Sequence, residues 1–515
     1  MPVLTAIDVL GIQRYVFASS RLRDAVAASW IVHWATAHHG ALEDSGGKVL
    51  LAGGGNAILW FTDEARARAF VARYTRRLYD EAPGLEVVVV HRSHTAGALA
   101  ATLGHLQVDL ARAKLERQPS VPQLGLSVTA ACHITGLPAT GFDPEDTAIP
   151  LSRMVLRWRD PDVREKAIGR WDALIAEQPQ FTFPSKIDDM GRTRGDQSLI
   201  GVVHVDGNGL GEQIAAWIRR CVEESQSDDA VVAELGEWSA ALESVGRRSI
   251  ESVVKRVAQA ISSDGRIAGT VPDLGFELRR AGEKICLPFR PVLLGGDDLT
   301  FLCDGRIALD LAEAALDAFE VEVPHLGTVT ACAGVALVPA HAPFDRAYEL
   351  AEALCASAKL RRRETGEGGA WIDWHIGAPR PGEGVGALRA RTLAEPTIGG
   401  KILQLTCRPY RLGTGASEPE TWRWLSRTVL GTGPDGFRGR YWSQHRNKLK
   451  KLASVVRDGP DGVRRARESW TAAGDLAWPG GLEQTDGFFD GVRTPLLDAI
   501  ELLDLHLSLG EELAS

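Results

Sequence analysis

Short apolar runs alternate along the chain with longer stretches whose apolar residues recur at helical spacing, and this order occurs twice. In the first pass, residues 3–9 predict a strand closing on Asp8 and Gly11, and residues 21–37 a helix. KVLLAGGGNAILWF, residues 48–61, reads as strand, glycine turn and strand. A helix over 63–79, a strand over 85–91, a helix over 96–116 and a strand over 124–134 complete the unit. Asp63 suits the N-cap of its helix, since a carboxylate accepts free amide hydrogens.

The second pass repeats the order. A strand over 199–206 ends in DGNGLG and leads into a helix, and RPVLLGGDDLTFLC, residues 290–303, is again strand, turn and strand. A helix over 307–320, a strand over 328–338, a helix over 344–363 and a strand over 370–376 follow. Gly53 to Leu85 spans 32 residues and Gly295 to Thr328 spans 33; Gly53 to Lys114 spans 61 and Gly295 to Lys359 spans 64. Gly53 to His133 and Gly295 to His375 both span 80, and Asp8-x-x-Gly11 matches Asp206-x-x-Gly209. Two copies of one βα unit are therefore expected, with a long helix or helical pair inserted in the second at about 214–287. The resulting division is 1–140 for the first copy, 141–197 for a linker mixing helix and turns, and 198–377 for the second copy. GAPRPGEGVG then opens a mostly helical region, 378–515, whose last helix starts with Thr494 as cap and Pro495 in the first turn.

Composition narrows the classes. With 44% hydrophobic and 24% charged residues, the 515-residue chain reads as globular, and a net charge of −9 argues against a generally basic nucleic-acid coat. Its 7 cysteines have no pair closer than 17 residues, which suits neither a zinc ribbon nor a disulfide framework. They read as buried apolar residues in a reducing compartment. Neither a signal peptide nor a run of roughly 20 apolar residues is present, so a cytoplasmic location without membrane contact is expected.

The chemistry concentrates in the second copy. Gly295 and Gly296 permit a tight hairpin that holds Asp297 and Asp298 at the end of buried strands. Adjacent carboxylates repel unless a cation neutralises them, and magnesium prefers such oxygen ligands. Taken alone, these four residues also suit a solvated turn facing water. Asp206 ends an apolar strand, and Gly207, Asn208 and Gly209 let the backbone approach a ligand ahead of a helix N-terminus. Lys359 adds a cation on the helix before the last strand. Three carboxylates beside a glycine-rich anion cradle suit a nucleoside triphosphate site of the two-metal kind.

These motifs resemble the palm domain shared by GGDEF-type cyclases and the large subunit of type III CRISPR effector complexes. The second copy is similar in HVDGNGLG, GGDDLTF and CAGVALVPAHAPFDRAYELAEALCASAKLRRR, the first in DVLGIQRYVFASSRLRDAVAASW and AGGGNAILWF. The resemblance implies an α+β fold with two ferredoxin-like palm domains in tandem and a helical C-terminal domain. It implies that Asp206, Asp297 and Asp298 bind two divalent metals, Mg2+ or Mn2+, and that Lys359, Gly207, Asn208, Gly209, Gly295 and Gly296 hold the nucleotide. The implied reaction joins ATP into cyclic oligoadenylates for antiviral signalling, with RNA or CRISPR-type effector proteins as partners. Gly55-Asn56 replaces the carboxylate pair in the first copy, which is then expected to bind an acceptor nucleotide or to prop up its partner. Departures are the missing His-Asp nuclease domain, the missing zinc cysteines and the shorter chain. A standalone signalling cyclase, a GTP-using cyclic dinucleotide synthase and a non-catalytic scaffold binding nucleotide or RNA stay open. FRGRYWSQHRNKLKKLASVVR, residues 437–457, suits either nucleic-acid contact or a basic face against acidic neighbours such as the helix near Glu501–Asp504.

Overall fold

The computed structural model describes residues 1–118, 125–126, 128–191, 199–269, 271, 274–380, 382–396, 401–434, 436–471, 478–482 and 484–510. The first copy runs β1 (Val3–Leu10), α1 (Ile12–Val16), α2 (Leu22–Thr36), β2 (Lys48–Gly53), β3 (Asn56–Phe61), α3 (Glu64–Glu81), β4 (Glu86–Ser93) and α4 (Leu99–Glu116). Asp63 caps α3 by accepting the Arg66 amide at 2.9 Å. A linker with α5 (Arg153–Trp158) and α6 (Pro161–Asp172) leads to the second copy. That copy runs β5 (Leu199–Gly207), α7 (Leu210–Glu223), α8 (Asp228–Ala260), β6 (Phe289–Gly295), β7 (Asp298–Asp304), α9 (Ala308–Phe319), β8 (Ala331–Pro339), α10 (Phe344–Thr365) and β9 (Trp371–Ile376).

The two sheets share one plan. The first has the order β2-β3-β1-β4 and the second β6-β7-β5-β8-β9, with the first four strands of each antiparallel. Even an irregularity repeats, with the register slipping between Val49 and Leu51 in β2 and between Pro291 and Leu293 in β6. This is the α+β, two-palm architecture expected. The insertion resolves into α7 and a 33-residue α8, counterparts of α1 and α2, followed by short strand pairs.

Three expectations are corrected. Leu124 and Ser127 of the strand expected over 124–134 lie outside the described residues, and the described remainder forms no strand, holding only an isolated bridge from Ala131 to Pro138. Leu126 and Val128 are exposed there, so their alternation has no face to bury, and the His133–His375 match carries no structural equivalence. The C-terminal region is helical in large part, but Tyr410–Arg411 pairs with Trp371–Ile372 to extend the second sheet by one strand. An uncovered strand edge is a liability, and this addition caps it. The same region clasps α9, where buried Glu313 accepts from Trp422 at 2.7 Å, Arg423 at 3.1 Å and Arg427 at 2.6 Å.

The basic segment 437–457 follows the packing alternative. Phe437 and Trp442 are buried, Arg438 donates to the carbonyls of Leu502 and Leu503, and Arg446 meets Asp504 at 2.9 Å. All seven cysteines are buried and unbridged. Among the described residues no helix is long and apolar enough to cross a membrane.

The copies face one another through equivalent elements: α4 packs on α7, and α1 on α10. Their glycine turns abut, so closely that a Cβ on Gly54 would stand 3.1 Å from the Gly295 carbonyl oxygen. Within the second copy, α10 lies directly on β8 at Gly334, where a Cβ would overlap the Ala351 carbonyl. Overpacking a dense core costs about 1–3 kcal/mol or more. Gly334→Ala should therefore lower stability by at least that much in urea denaturation, whereas Gly366→Asn, at the left-handed cap of the same helix, should cost little.

Candidate active site

Strand pairing creates the site. Asp206 near the end of β5 lies directly opposite Asp298 at the start of β7, and His204 lies opposite Thr300 two residues back. Opposed residues of an antiparallel pair put their side chains on one face, within about 5.5 Å at Cβ. Asp297 occupies the two-residue turn with Gly296, whose φ of 72° is left-handed. The Gly207 amide donates to the Asp297 carbonyl at 3.1 Å, and a Cβ on Gly207 would stand 2.9 Å from the Asp297 carboxylate. Gly207 thus makes room for Asp297.

Helix α10 supplies the cation. Lys359 Nζ donates to Asp206 Oδ2 and to the Gly207 carbonyl, both at 2.6 Å. Tyr348, Glu352, Cys355 and Lys359 follow the i, i+4, i+7, i+11 spacing of one helical face. The first copy closes this wall from outside, with the Phe17 ring stacked on Tyr348 at 4.7 Å.

Burial pushes Asp297 up to about 6 and Asp298 up to about 7, with the Asp206 charge adding to both and Glu352 to Asp298. His204 lies 3.4 Å from Asp298, but burial lowers its pKa, so the contact is not a charged pair. His204 Nδ1 instead meets the Thr300 hydroxyl at 3.1 Å.

Whether these residues suit a cation turns on one atom. Asp298 Oδ1 is buried without a hydrogen-bond partner, and a buried carboxylate oxygen left unmatched is costly. A hard, oxygen-seeking divalent cation satisfies it and relieves the repulsion between the carboxylates. Among the described residues, a different grouping brings its ligand atoms mutually within 4.8 Å: His204, Asp206 and Cys355. Burial holds the Cys355 thiol well above its ordinary pKa, and it donates to the Cys332 carbonyl at 3.2 Å. That grouping is therefore poor for a hard cation, and the carboxylates are the better fit.

The expected nucleotide cradle is only partly available. Asn208 is buried, with its amide and side-chain nitrogens bound to Thr330 at 2.7 and 3.0 Å and its Oδ1 accepting from the Cys332 thiol. It ties β5 to β8 rather than pointing outward. Gly295 is occupied by the opposing Gly54. Gly209 is left-handed at the start of α7, whose first internal bonds run from Glu212 and Gln213 to its carbonyl, leaving the amides before them to an anion. The turn is also not the freely solvated one expected, because Asp297 and Asp298 are half-buried and the neighbouring Gly295 abuts Gly54 of the first copy. Sequence reasoning missed His204, Tyr348 and Glu352. The signals were the two-residue strand period to Asp206 and the helical spacing to Lys359.

The first copy keeps half of this arrangement. Asp8 lies opposite Asn56 and pairs with Lys114, as Asp206 does with Lys359, and Gly11 is left-handed like Gly209. Gly55 and Asn56 stand where Asp297 and Asp298 do, so the carboxylate pair is absent.

Strand order and the carboxylate-bearing hairpin define a tandem of palm domains. Residues 199–365 match the family described as Cas10/Cmr2, second palm domain. The whole chain has the fold of Csm1. It resembles a Csm1–Csm4 cassette in complex with AMPPNP at TM-score 0.55 and 14% identity, over 98% of this chain and 69% of that one. The T. onnurineus Csm1 aligns at TM-score 0.52 and 15% identity, over 98% and 70%. A Csm1–Csm4 cassette in complex with cA3 aligns at TM-score 0.50 and 14% identity, over 98% and 70%. No curated protein matches the chain.

The raised carboxylates have a consequence for stability. Between about pH 4 and pH 7 the folded chain keeps protons that the unfolded chain, at an ordinary value of 3.8, has released. Stability should therefore fall as pH rises through that window and stay low above it. Thermal unfolding in chelator should show this loss in the wild type and a flatter profile in Asp298→Asn; identical profiles would contradict the assignment.

Proposed function

We propose that this chain is a metal-dependent nucleotidyltransferase that joins ATP 3′ to 5′ into cyclic oligoadenylates, releasing pyrophosphate, as a signal in antiviral defence. The observation that carries it is the Asp206–Asp298 opposition with its unmatched buried oxygen, present in the second copy and replaced in the first. The likeness to Csm1–Csm4 cassettes in complex with AMPPNP and with cA3 supports the substrate and product class. A Csm4-like subunit and RNA are the corresponding partners, in the cytoplasm.

In this reading Asp206, Asp297 and Asp298 would hold Mg2+ or Mn2+, two per site, which supply charge neutralisation at the phosphates and a lowered pKa for the attacking hydroxyl. The remaining work belongs to the chain. The 3′-hydroxyl of one ATP attacks the α-phosphorus of another, and the bond to pyrophosphate breaks. Lys359 shifts from Asp206 toward the triphosphate, and the amides at the start of α7 take the developing negative charge. The Asp8–Lys114 pair and Gly11 of the first copy receive the phosphates of the second ATP without a metal pair of their own. The abutting turns hold the two nucleotides at a fixed approach, which is where positional catalysis arises.

Incubating the protein with each nucleoside triphosphate and Mg2+ or Mn2+, with and without RNA, and resolving products by mass spectrometry tests this reading. ATP should give cyclic oligoadenylates. A cyclic dinucleotide from GTP would replace it with the dinucleotide synthase, and nucleotide binding without turnover under every condition would favour the scaffold. Asp297→Ala with Asp298→Ala should cut product formation by at least about 100-fold, the scale of losing one preorganised electrostatic contact. Lys359→Met should chiefly raise the KM for ATP. Wild-type turnover by the double variant would sink the metal-site assignment.

A further inference from the structure

Arg290 of β6 is 3% exposed, and among the described residues no hydrogen bond or ion pair reaches its guanidinium. Its relief is the Phe183 ring, 5.4 Å from Cζ to centroid, and the more distant attraction of Asp172. Burial lowers Arg290 to about 10, so it stays charged at neutral pH. A buried charge without a counterion is among the costliest features a fold can hold.

The surroundings make the deficit larger. Arg290 lines a cavity of about 40 Å³ together with Arg23, Arg164 and Ser185. Arg23 and Arg164 share one carboxylate, Glu145, at 3.0 and 3.1 Å, and the Arg164 Nε is buried without a partner. Asp24 serves Arg159 at 2.9 Å as well as Arg164 at 3.5 Å, and Asp143 serves both Arg159 and Arg21. Among the described residues, five guanidiniums (21, 23, 159, 164 and 290) thus stand against three paired carboxylates (24, 143 and 145) and the more distant Asp172. One water needs about 10–15 Å³ of such space, so the cavity suits a group of a few heavy atoms and excludes a nucleoside.

We propose that this cavity binds one tetrahedral oxyanion of the phosphate class, held by Arg290, Arg164 and Arg23. Guanidinium forks match phosphate oxygens, and an anion here supplies the charge that Arg290 lacks. The phosphate comes either from solution or from a nucleic-acid strand laid over the opening. The site joins three parts of the chain: α2 of the first copy, α6 of the linker and β6, which carries the catalytic hairpin. Helix α6 also holds that hairpin directly, through Arg170 donating to the Leu294 carbonyl at 3.1 Å.

Isothermal titration with inorganic phosphate at constant ionic strength, on the full chain, tests the site without reference to turnover. One saturable site per chain is expected, lost in Arg290→Gln and weakened at least about 10-fold in the more exposed Arg164→Gln. Without phosphate, Arg290→Gln should melt no lower than the wild type, because it removes an unmatched charge; a purely structural arginine would lower it. If phosphate is silent, a short single-stranded oligonucleotide whose binding falls in both variants identifies a phosphodiester as the source. Equal binding of both probes by the wild type and the two variants, or by none of them, overturns the proposal.

Discussion

Two carboxylates face one another across an antiparallel strand pair, and the rest of the site answers that repulsion. Asp206 and Asp298 cannot both be charged at close range without a cation, yet the register of β5 and β7 forces them together. Lys359 satisfies one of them from α10, and the other keeps a proton or an unmatched oxygen. A fold that stores such a deficit at the rim of a buried sheet is prepared for a positively charged guest. The seating of α10 on Gly334 matters for the same reason, because it sets the distance from Lys359 to the strands.

The duplicated plan explains why one chain holds two palms. The copies meet through their glycine turns, so each turn forms part of the other's surroundings. A cavity of about 620 Å³ opens between them, lined by Gly53, Gly54, Gly295 and Asp297 together with α4 and α7. Retention of the aspartate–lysine pair in both copies, with the carboxylate pair in one, divides the labour. Under the proposed function both copies would meet phosphates through these pairs, and only the second would also hold a metal.

Much of this was legible because strand and helix periods dominate the palms. The matched spacings located both hairpins, both aspartates and both lysines, since a repeated fold preserves distances along the chain. Less legible was anything set by contact between copies. No local pattern says that Gly295 meets Gly54, and so the turn read as solvated when it is half-buried. Asn208 misled because an asparagine in a glycine-rich loop suits ligand contact, while its partner Thr330 lies 122 residues away. The expected strand near 124–134 failed because alternation marks a strand only where one face is buried, and Leu126 and Val128 bury neither. The C-terminal strand escaped notice because Tyr410–Arg411 is too short to show a period.

The central claim is that the opposed carboxylates form a cation site, and direct measurement of Mn2+ binding tests it most plainly. Titration of the chelated protein, followed by electron paramagnetic resonance, should show tight Mn2+ binding that strengthens with a non-hydrolysable ATP analogue. Asp298→Asn should abolish that binding, whereas Asn56→Ala at the matching position of the first copy should leave it unchanged. Equal Mn2+ binding by the wild type and Asp298→Asn would contradict the account.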